Sequence, residues 1–265
     1  MTTPLLFGPA ADPLFGVHQV PAGGAPRSLG VVLCNPIGQE YLRAHRSFRQ
    51  LAIRLARQGF HVLRFDYYGC GDSSGPDEAW TVPGALANVG QAARELRRRA
   101  GCSRVGLVGL RFGATLALLA AREMQDVAAL VLWEPVLSGR EYLQALEAQQ
   151  MEWRRWMGLA VGPEGGEPVT ELMGFPLPPV ARAGVEEIDL LTVDRSPAER
   201  VLLLLDGDVG DRGRRFEERL ARAGARVDRR QEPGPRGWLR QDGMERAVVA
   251  SRAVEGIAAW CGELA

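Results

Sequence analysis

The sequence predicts an α/β protein, in which a mostly parallel β-sheet is covered by helices on both faces. Short apolar runs of strand length alternate with longer segments that have helical periodicity, as expected when each strand is followed by a crossover helix. A second observation concerns residues 103–120, where a short apolar run, a turn with two glycines and a fully apolar helix follow one another directly. Together, these patterns indicate one sheet with buried connecting helices.

The elements of the first half follow from apolar spacing and turn residues. Apolar side chains recur with helical spacing from Phe48 to Ala56, and Gly59 ends that helix. In chain order we predict initial strands at 5–7 and 15–20, a buried strand at 29–33, the helix over 48–56, a strand at 60–65, a glycine-rich loop at 66–75 and a helix over 82–96.

The second half continues the alternation after one interruption. We predict a strand at 103–108, a helix over 114–120, strands at 127–133 and 201–205, a charged helix, a polar strand at 226–230 and a final helix through Val248, Val249, Ile257 and Trp260. Residues 138–198 break the rhythm, and a structureless loop of that length is improbable. We therefore expect a core of residues 1–137 and 199–265, with residues 138–198 inserted as a lid.

Composition bounds the class of protein. The chain has 265 residues, 46% of them hydrophobic, which suits one globular domain with an inserted cap. Its 32 basic and 32 acidic residues balance, so charge gives no case for nucleic acid or an anionic membrane surface. Every basic residue is arginine, which excludes Schiff-base and serine–lysine chemistry.

The cysteines and the ends of the chain carry few signals. The four cysteines show no C-x-x-C spacing and no histidine pattern for zinc, so we expect neither a metal nor a cofactor. No secretory signal opens the sequence, and no apolar run reaches the length of a membrane span. We expect a cytoplasmic protein with reduced thiols.

The most informative motif is Gly109-Leu110-Arg111-Phe112-Gly113. It has the frame of the G-x-S-x-G nucleophile elbow of α/β-hydrolases, with arginine in place of the serine. The two glycines suit a sharp strand-to-helix turn in which the middle residue is strained. Guanidinium remains protonated and offers only hydrogen-bond donors, so Arg111 cannot act as the nucleophile.

The histidines agree with this substitution. They are His18, His45 and His61, whereas the elbow pattern places its base after the last strand, here around residues 235–238. Without a nucleophile and a base, serine-type acyl-enzyme chemistry has no mechanism. The sequence therefore predicts a degenerate triad.

With these pieces in order, the chain resembles the α/β-hydrolase superfamily, and within it the serine-aminopeptidase-like group. Residues 64–73 look like that group's D-x-x-G-x-G-x-S loop, and the likeness covers nearly the whole chain outside the lid. More narrowly, residues 109–114 and 132–140 are similar to hydrolase-like proteins of bacterial exosortase systems. Similar proteins occur beside polyketide and other acyl-assembly genes, which implies natural product biosynthesis.

Arg111 and Glu134 are the first candidate site residues. Arg111 should project into the pocket at the carboxyl ends of the strands, where open α/β sheets bind ligands. There it could clamp a substrate carboxylate, phosphate or developing enolate. Glu134 ends the neighbouring strand, and because a bare buried arginine is costly, we expect an Arg111–Glu134 pair, either structural or functional.

Three aspartates follow the strand that carries the catalytic acid in relatives: Asp206, Asp208 and Asp211. Asp208 or Asp211 could act as a general base if burial raised its pKa, and Asp208 is our choice for a catalytic role. Capping of the next helix is the alternative for the same side chains.

Two backbone amides could still bind an acyl oxygen. Relatives place one oxyanion-hole amide after the first long strand, here at Ile37, and the other at Phe112. His45 follows at the mouth of the next helix as a substrate-binding residue, with helix packing as its alternative. Trp153 and Trp156 of the lid, and Trp238 near the expected histidine position, would suit an acyl or polyketide chain; a lid core is the alternative for the first two.

Three functions remain open. The first is an accessory enzyme that binds a small-molecule or carrier-bound acyl, thioester or polyketide-type substrate and promotes cyclisation or acyl transfer. There Arg111 and the two amides would stabilise negative charge, and Glu134 or Asp208 would move the proton. The second is a catalytically dead scaffold or ligand-binding module, and the third an atypical esterase using Ser73, Ser138, Cys34 or Cys70. The sequence leaves a homodimer open.

Overall fold

A computed structural model describes residues 2–23, 25–159, 170–205, 210–232 and 249–264. Eight strands form one sheet in the spatial order β1-β2-β4-β3-β5-β6-β9-β10, and β7 and β8 form a separate hairpin. The strands are β1 (Thr2–Phe7), β2 (Leu14–Gln19), β3 (Leu29–Cys34), β4 (His61–Phe65), β5 (Arg104–Leu110), β6 (Val127–Trp133), β7 (Glu171–Leu172), β8 (Phe175–Pro176), β9 (Arg200–Leu205) and β10 (Arg226–Gln231).

The main sheet is parallel from β4 to β10, because its strands are joined by crossover helices. The first strands differ: β1 pairs with β2, and β2 with β4, in antiparallel register. The helices are α1 (Gly38–Arg57), α2 (Val82–Ala100), α3 (Phe112–Ala121), α4 (Gly139–Trp156), α5 (Pro179–Glu186), α6 (Gly210–Arg222) and α7 (Ser251–Gly262). The predicted fold class is confirmed.

Helices cover both faces of the sheet. On one face α1 and α7 pack with side chains such as Val31 and Trp133, and on the other α2, α3 and α6 pack with side chains such as Leu107 and Leu203. The strands between these layers are apolar on both sides; in β3 all six residues are buried. The central strands therefore hold their carboxyl ends rigidly at one edge of the sheet.

Most predicted elements lie within one or two residues of those observed. The largest difference is α1, which begins at Gly38 rather than near Phe48. The first turns of α1 line a cavity in addition to packing on the core. Val248 lies outside the described residues, and α7 begins at Ser251. In the described parts of the chain, no helix is both long and apolar enough to cross a bilayer.

The segment between β6 and β9 folds as α4, the β7–β8 hairpin and α5. Gln150 of α4 accepts a 2.6 Å hydrogen bond from the amide of Met173 at the hairpin turn. Gln39 of α1 donates a 3.0 Å bond to the Met173 carbonyl. The hairpin is thus tied to both α4 and the core, and the assignment of residues 138–198 as an inserted lid stays a prediction.

Candidate functional site

Arg111 occupies the turn between β5 and α3, at the carboxyl edge of the sheet. Its backbone has φ of 53° and ψ of −124°, a conformation that residues other than glycine rarely adopt. The Arg111 amide donates a 2.8 Å hydrogen bond to the Trp133 carbonyl, which anchors the turn to β6. The turn therefore has the strained middle position of an elbow, and Arg111 occupies that position.

The two flanking glycines are required by packing. A Cβ on Gly109 would collide with the Ala114 backbone. One on Gly113 would collide with the Cys34 and Asn35 carbonyls. Because only glycine fits, the start of α3 lies directly against the loop that follows β3.

Arg111 pairs with Glu40, which corrects the expected pairing with Glu134. The Arg111 Nε donates a 2.8 Å hydrogen bond to Glu40 Oε1, and the Glu40 side chain is only 1% exposed. The charge of Glu134 also favours the Arg111 cation. Glu40 belongs to the first turn of α1, and Glu134 directly follows β6 with a positive φ of 46°.

Tyr142 completes the cluster from α4. Its hydroxyl donates a 3.0 Å hydrogen bond to Glu40 Oε2, so each carboxylate oxygen of Glu40 has a donor. Phe112 stacks on the Tyr142 ring with 5.4 Å between centroids. These contacts join the elbow, the core helix α1 and α4 through one buried carboxylate.

The charges of this cluster stabilise one another. Burial by itself lowers the pKa of Arg111, but Glu40, then Tyr142 and Glu134, outweigh burial, and the pKa of Arg111 is raised. Burial and the Glu40 carboxylate raise the pKa of Tyr142 well above its ordinary value. At neutral pH, Arg111 is a cation and Tyr142 a protonated phenol.

A cavity of about 280 Å³ lies beside this cluster. Its walls come from the loop after β3 and the start of α1, the glycine-rich loop, α4 and the hairpin. Glu40, Tyr142 and Ile37 line it, together with apolar side chains such as Leu146 and Phe175. Arg111 does not line this cavity, although its side chain is 21% exposed, and its projection into a pocket at the carboxyl edge of the sheet stays a prediction.

Of the two expected oxyanion amides, that of Ile37 belongs to a residue that lines the cavity, whereas Phe112 is fully buried and does not line it. Ile37 immediately precedes α1 and Phe112 begins α3, and neither helix start has a side-chain cap. Neither amide donates a hydrogen bond to an acceptor in the described part of the chain. Both N–H groups thus remain available, at adjacent segments, for an oxygen acceptor.

Other predicted site residues lie elsewhere. His45 as a whole residue is exposed, but its ring is partly buried. This burial and the charge of Arg64 lower the pKa of His45. Trp153 and Trp156 belong to the last turn of α4 and do not line the cavity; Trp156 is 78% exposed. Among the described residues, the buried face of α4 lies at its other end, around Tyr142, and neither tryptophan is buried.

The remaining candidates are divided between described and undescribed residues. Asp206, Asp208, Trp238 and the expected histidine position lie outside the described residues. Asp211 is exposed in the first turn of α6 and pairs with Arg214. Ser73 donates a 2.6 Å bond to the Asp66 carbonyl, and Ser138 caps α4. Neither hydroxyl is near an imidazole by these contacts.

The thiols are poor nucleophiles. Cys70 lines the cavity, but burial, Asp66 and Asp77 raise its pKa to about 12. Burial raises the pKa of Cys34 further. Because thiolate is the reactive form, neither cysteine is activated at neutral pH.

Sequence reasoning missed Glu40 and Tyr142, although a signal for Glu40 was present. Continuing the apolar stripe of α1 backwards from Phe48 at helical spacing reaches Ala44 and then Glu40. An acidic residue on a buried stripe requires a cationic partner. Tyr142 had no comparable signal, since its contact depends on how α4 docks.

Comparisons with known proteins agree with the fold. A family model described as the alpha/beta hydrolase family matches residues 31–260. No protein of curated function matches the sequence significantly. Among solved structures, esterase Est1E from Butyrivibrio proteoclasticus, with ferulic acid bound, is 17% identical, with a TM-score of 0.68 and 98% of each chain covered.

Two further structures are similar over nearly their whole length. The Pyrococcus furiosus esterase Pf2001 is 17% identical, with a TM-score of 0.66, covering 100% of this chain and 91% of that one. Proline iminopeptidase from Mycobacterium smegmatis is 13% identical, with a TM-score of 0.64, covering 99% and 98%. At these identities the likeness concerns the fold.

Proposed function

This chain belongs to the alpha/beta hydrolase family, and from that premise we propose that it binds an acyl-type small molecule and acts on it without hydrolysis. The observation that carries the proposal is the Arg111–Glu40 ion pair, which occupies the strained elbow from which this fold otherwise presents a nucleophile. A covalent acyl-enzyme needs a nucleophile at that point.

The adjoining cavity supports an acyl ligand. Its walls are mostly apolar, with Leu143, Leu146 and Phe175 among them, and its volume of about 280 Å³ suits a small ligand. Ile37 lines the cavity and its amide would hold the carbonyl oxygen of such a ligand, and we propose the Phe112 amide as the second donor. A thioester or polyketide-type chain in a biosynthetic pathway meets these requirements.

The proposed step is cyclisation or acyl transfer. An internal hydroxyl or an acceptor would attack the thioester carbonyl, the carbon–sulfur bond would break, and the departing thiolate would take the proton of the attacking group. The two amides would stabilise the developing oxyanion. Arg111 acts through Glu40 as a positioning residue, and roles for Glu134 and Asp208 as proton carriers stay predictions.

A ligand-binding protein without turnover is the second candidate. One observation favours it: both oxygens of Glu40 already accept hydrogen bonds, from Arg111 and Tyr142, so the carboxylate nearest the cavity is not poised as a base. In that case, the family fold would serve as a binding module.

Product analysis separates the candidates. The intact protein is incubated with a hydroxyacyl thioester of N-acetylcysteamine, and products are identified by mass spectrometry. Lactone with free thiol supports the proposed step, whereas saturable binding with unchanged thioester supports the binding module. Free hydroxy acid released by the wild type, and retained on purification to constant specific activity, would overturn the proposal in favour of an atypical esterase.

A further inference from the structure

The charges around the cavity discriminate between forms of an acyl ligand. The lining residues include the carboxylates of Glu40 and Asp77 and, among the described residues, no arginine or histidine. Asp77 is exposed in a short turn at residues 77–79, at the side of the cavity formed with Gly69 and Cys70. An anionic headgroup entering there would meet negative charge first.

The polar side chains of the wall do not solvate an anion. The Tyr142 hydroxyl donates a hydrogen bond to Glu40, and the Tyr41 hydroxyl donates a 2.8 Å hydrogen bond to Asp66. A phenol has one proton to donate, so toward the cavity each of these oxygens offers lone pairs. Both tyrosines line the cavity, and each is backed by a carboxylate.

The cation bonded to the cavity wall is paired with a carboxylate. The Arg111 Nε donates a hydrogen bond to Glu40, and Arg111 itself does not line the cavity. Burial with Asp66 and Asp77 raises the pKa of the lining thiol Cys70 to about 12, as expected where an added negative charge is disfavoured. His45 and Arg64 interact electrostatically with Asp66, and neither of them lines the cavity.

We infer that the cavity selects an acyl group in its neutral, esterified form and rejects the free carboxylic acid. This inference rests on the proposed function, because it assumes that the cavity is the ligand site. It reverses the expectation that Arg111 clamps a substrate carboxylate. A neutral ester or thioester can use the Ile37 amide without placing a negative charge beside the Asp77 carboxylate and the acceptor oxygens of Tyr41 and Tyr142.

The test compares methyl octanoate with octanoate, which share a chain and differ in charge. Binding of each to the intact protein is measured by calorimetry at pH 7 and low salt. We expect saturable binding of the ester and at least tenfold weaker binding of the acid. Asp77→Asn should lower the ratio of the two dissociation constants, acid over ester, several-fold. Glu78 is an adjacent exposed carboxylate that does not line the cavity, so Glu78→Gln should leave that ratio unchanged.

The remaining outcomes separate this inference from its premise. Equal binding of the two probes would overturn the charge selection while leaving the cavity as the acyl site. Leu146→Trp fills the cavity and should abolish ester binding; persistence of that binding, or failure of both probes to bind the wild type, would overturn the acyl site itself. An equal effect of Asp77→Asn and Glu78→Gln would contradict the role of Asp77.

Discussion

At the scale of single residues, Glu40 is the centre of the site. It lies on the buried stripe of α1, and its two oxygens accept hydrogen bonds from Arg111 and Tyr142. A buried ion pair gains little over an apolar pair of the same shape, but removal of one partner leaves an uncompensated charge. The cluster is therefore sensitive to each of its members.

Replacement of the Glu40 charge should be costly. Glu40→Gln leaves Arg111 without its anion, and because Arg111 is about one-fifth exposed we expect a loss of about 2–4 kcal/mol in the free energy of unfolding. The matched control is Glu255→Gln, which breaks the exposed pair with Arg54 and should cost at most about 0.5 kcal/mol. The free energies of unfolding are measured by urea denaturation. Equal losses for Glu40→Gln and Glu255→Gln would show that the buried pair contributes no more to stability than the exposed one.

A histidine pair makes a second residue-scale prediction. His18 Nε2 and His61 Nδ1 are 3.0 Å apart, and burial, His61 and Arg99 lower the pKa of His18 to about 4. Between that value and the ordinary pKa of about 6.5, the unfolded chain binds more protons, so stability falls as pH drops through this window.

The expected loss from His18 is about 1–3 kcal/mol between pH 7 and pH 4. His18→Gln should remove this part of the pH dependence, which is measured by urea denaturation at several pH values. A variant with the same slope as the wild type would show that other groups account for acid sensitivity.

At the scale of elements, close backbone approach decides which substitutions the elbow tolerates. A methyl group on Gly113 would collide with the carbonyls of Cys34 and Asn35, so Gly113→Ala should cost about 1–3 kcal/mol. Gly90 also lies in a helix, α2, but its nearest neighbour is the mobile end of Arg94 at 3.4 Å. Gly90→Ala should be neutral or stabilising by up to about 1 kcal/mol. Thermal unfolding of both variants measures the difference, and similar melting temperatures would contradict the packing described at the elbow.

The elements were largely predictable because their patterns are local. The strands at β6 and β9 are continuous apolar runs, and α3 is apolar all round, so both buried layers follow from the sequence. The start of α1 was not predicted because its first turns carry few apolar residues. The partner of Arg111 was wrong for a related reason: the residue that contacts it is 71 positions away, and only the path of α1 brings it there.

At the scale of the whole molecule, the cavity is built from two parts of the chain. The core supplies Glu40, Ile37 and the glycine-rich loop, while the segment between β6 and β9 supplies Tyr142 and the hairpin. The hydrogen bond from Tyr142 to Glu40 and the stacking of Tyr142 on Phe112 link the second part to α1 and the elbow. The sequence predicted the position of the cavity, at the carboxyl edge of the sheet. It did not predict the charge of the cavity wall, because that charge depends on which side chains are paired.

The most direct measurement is intact-mass analysis of the wild-type protein after exposure to excess fluorophosphonate, which modifies activated serine hydroxyls. Because the elbow carries an arginine paired with Glu40, the mass should remain unchanged. A stoichiometric adduct, lost on replacement of one serine, would show an activated nucleophile and contradict the account.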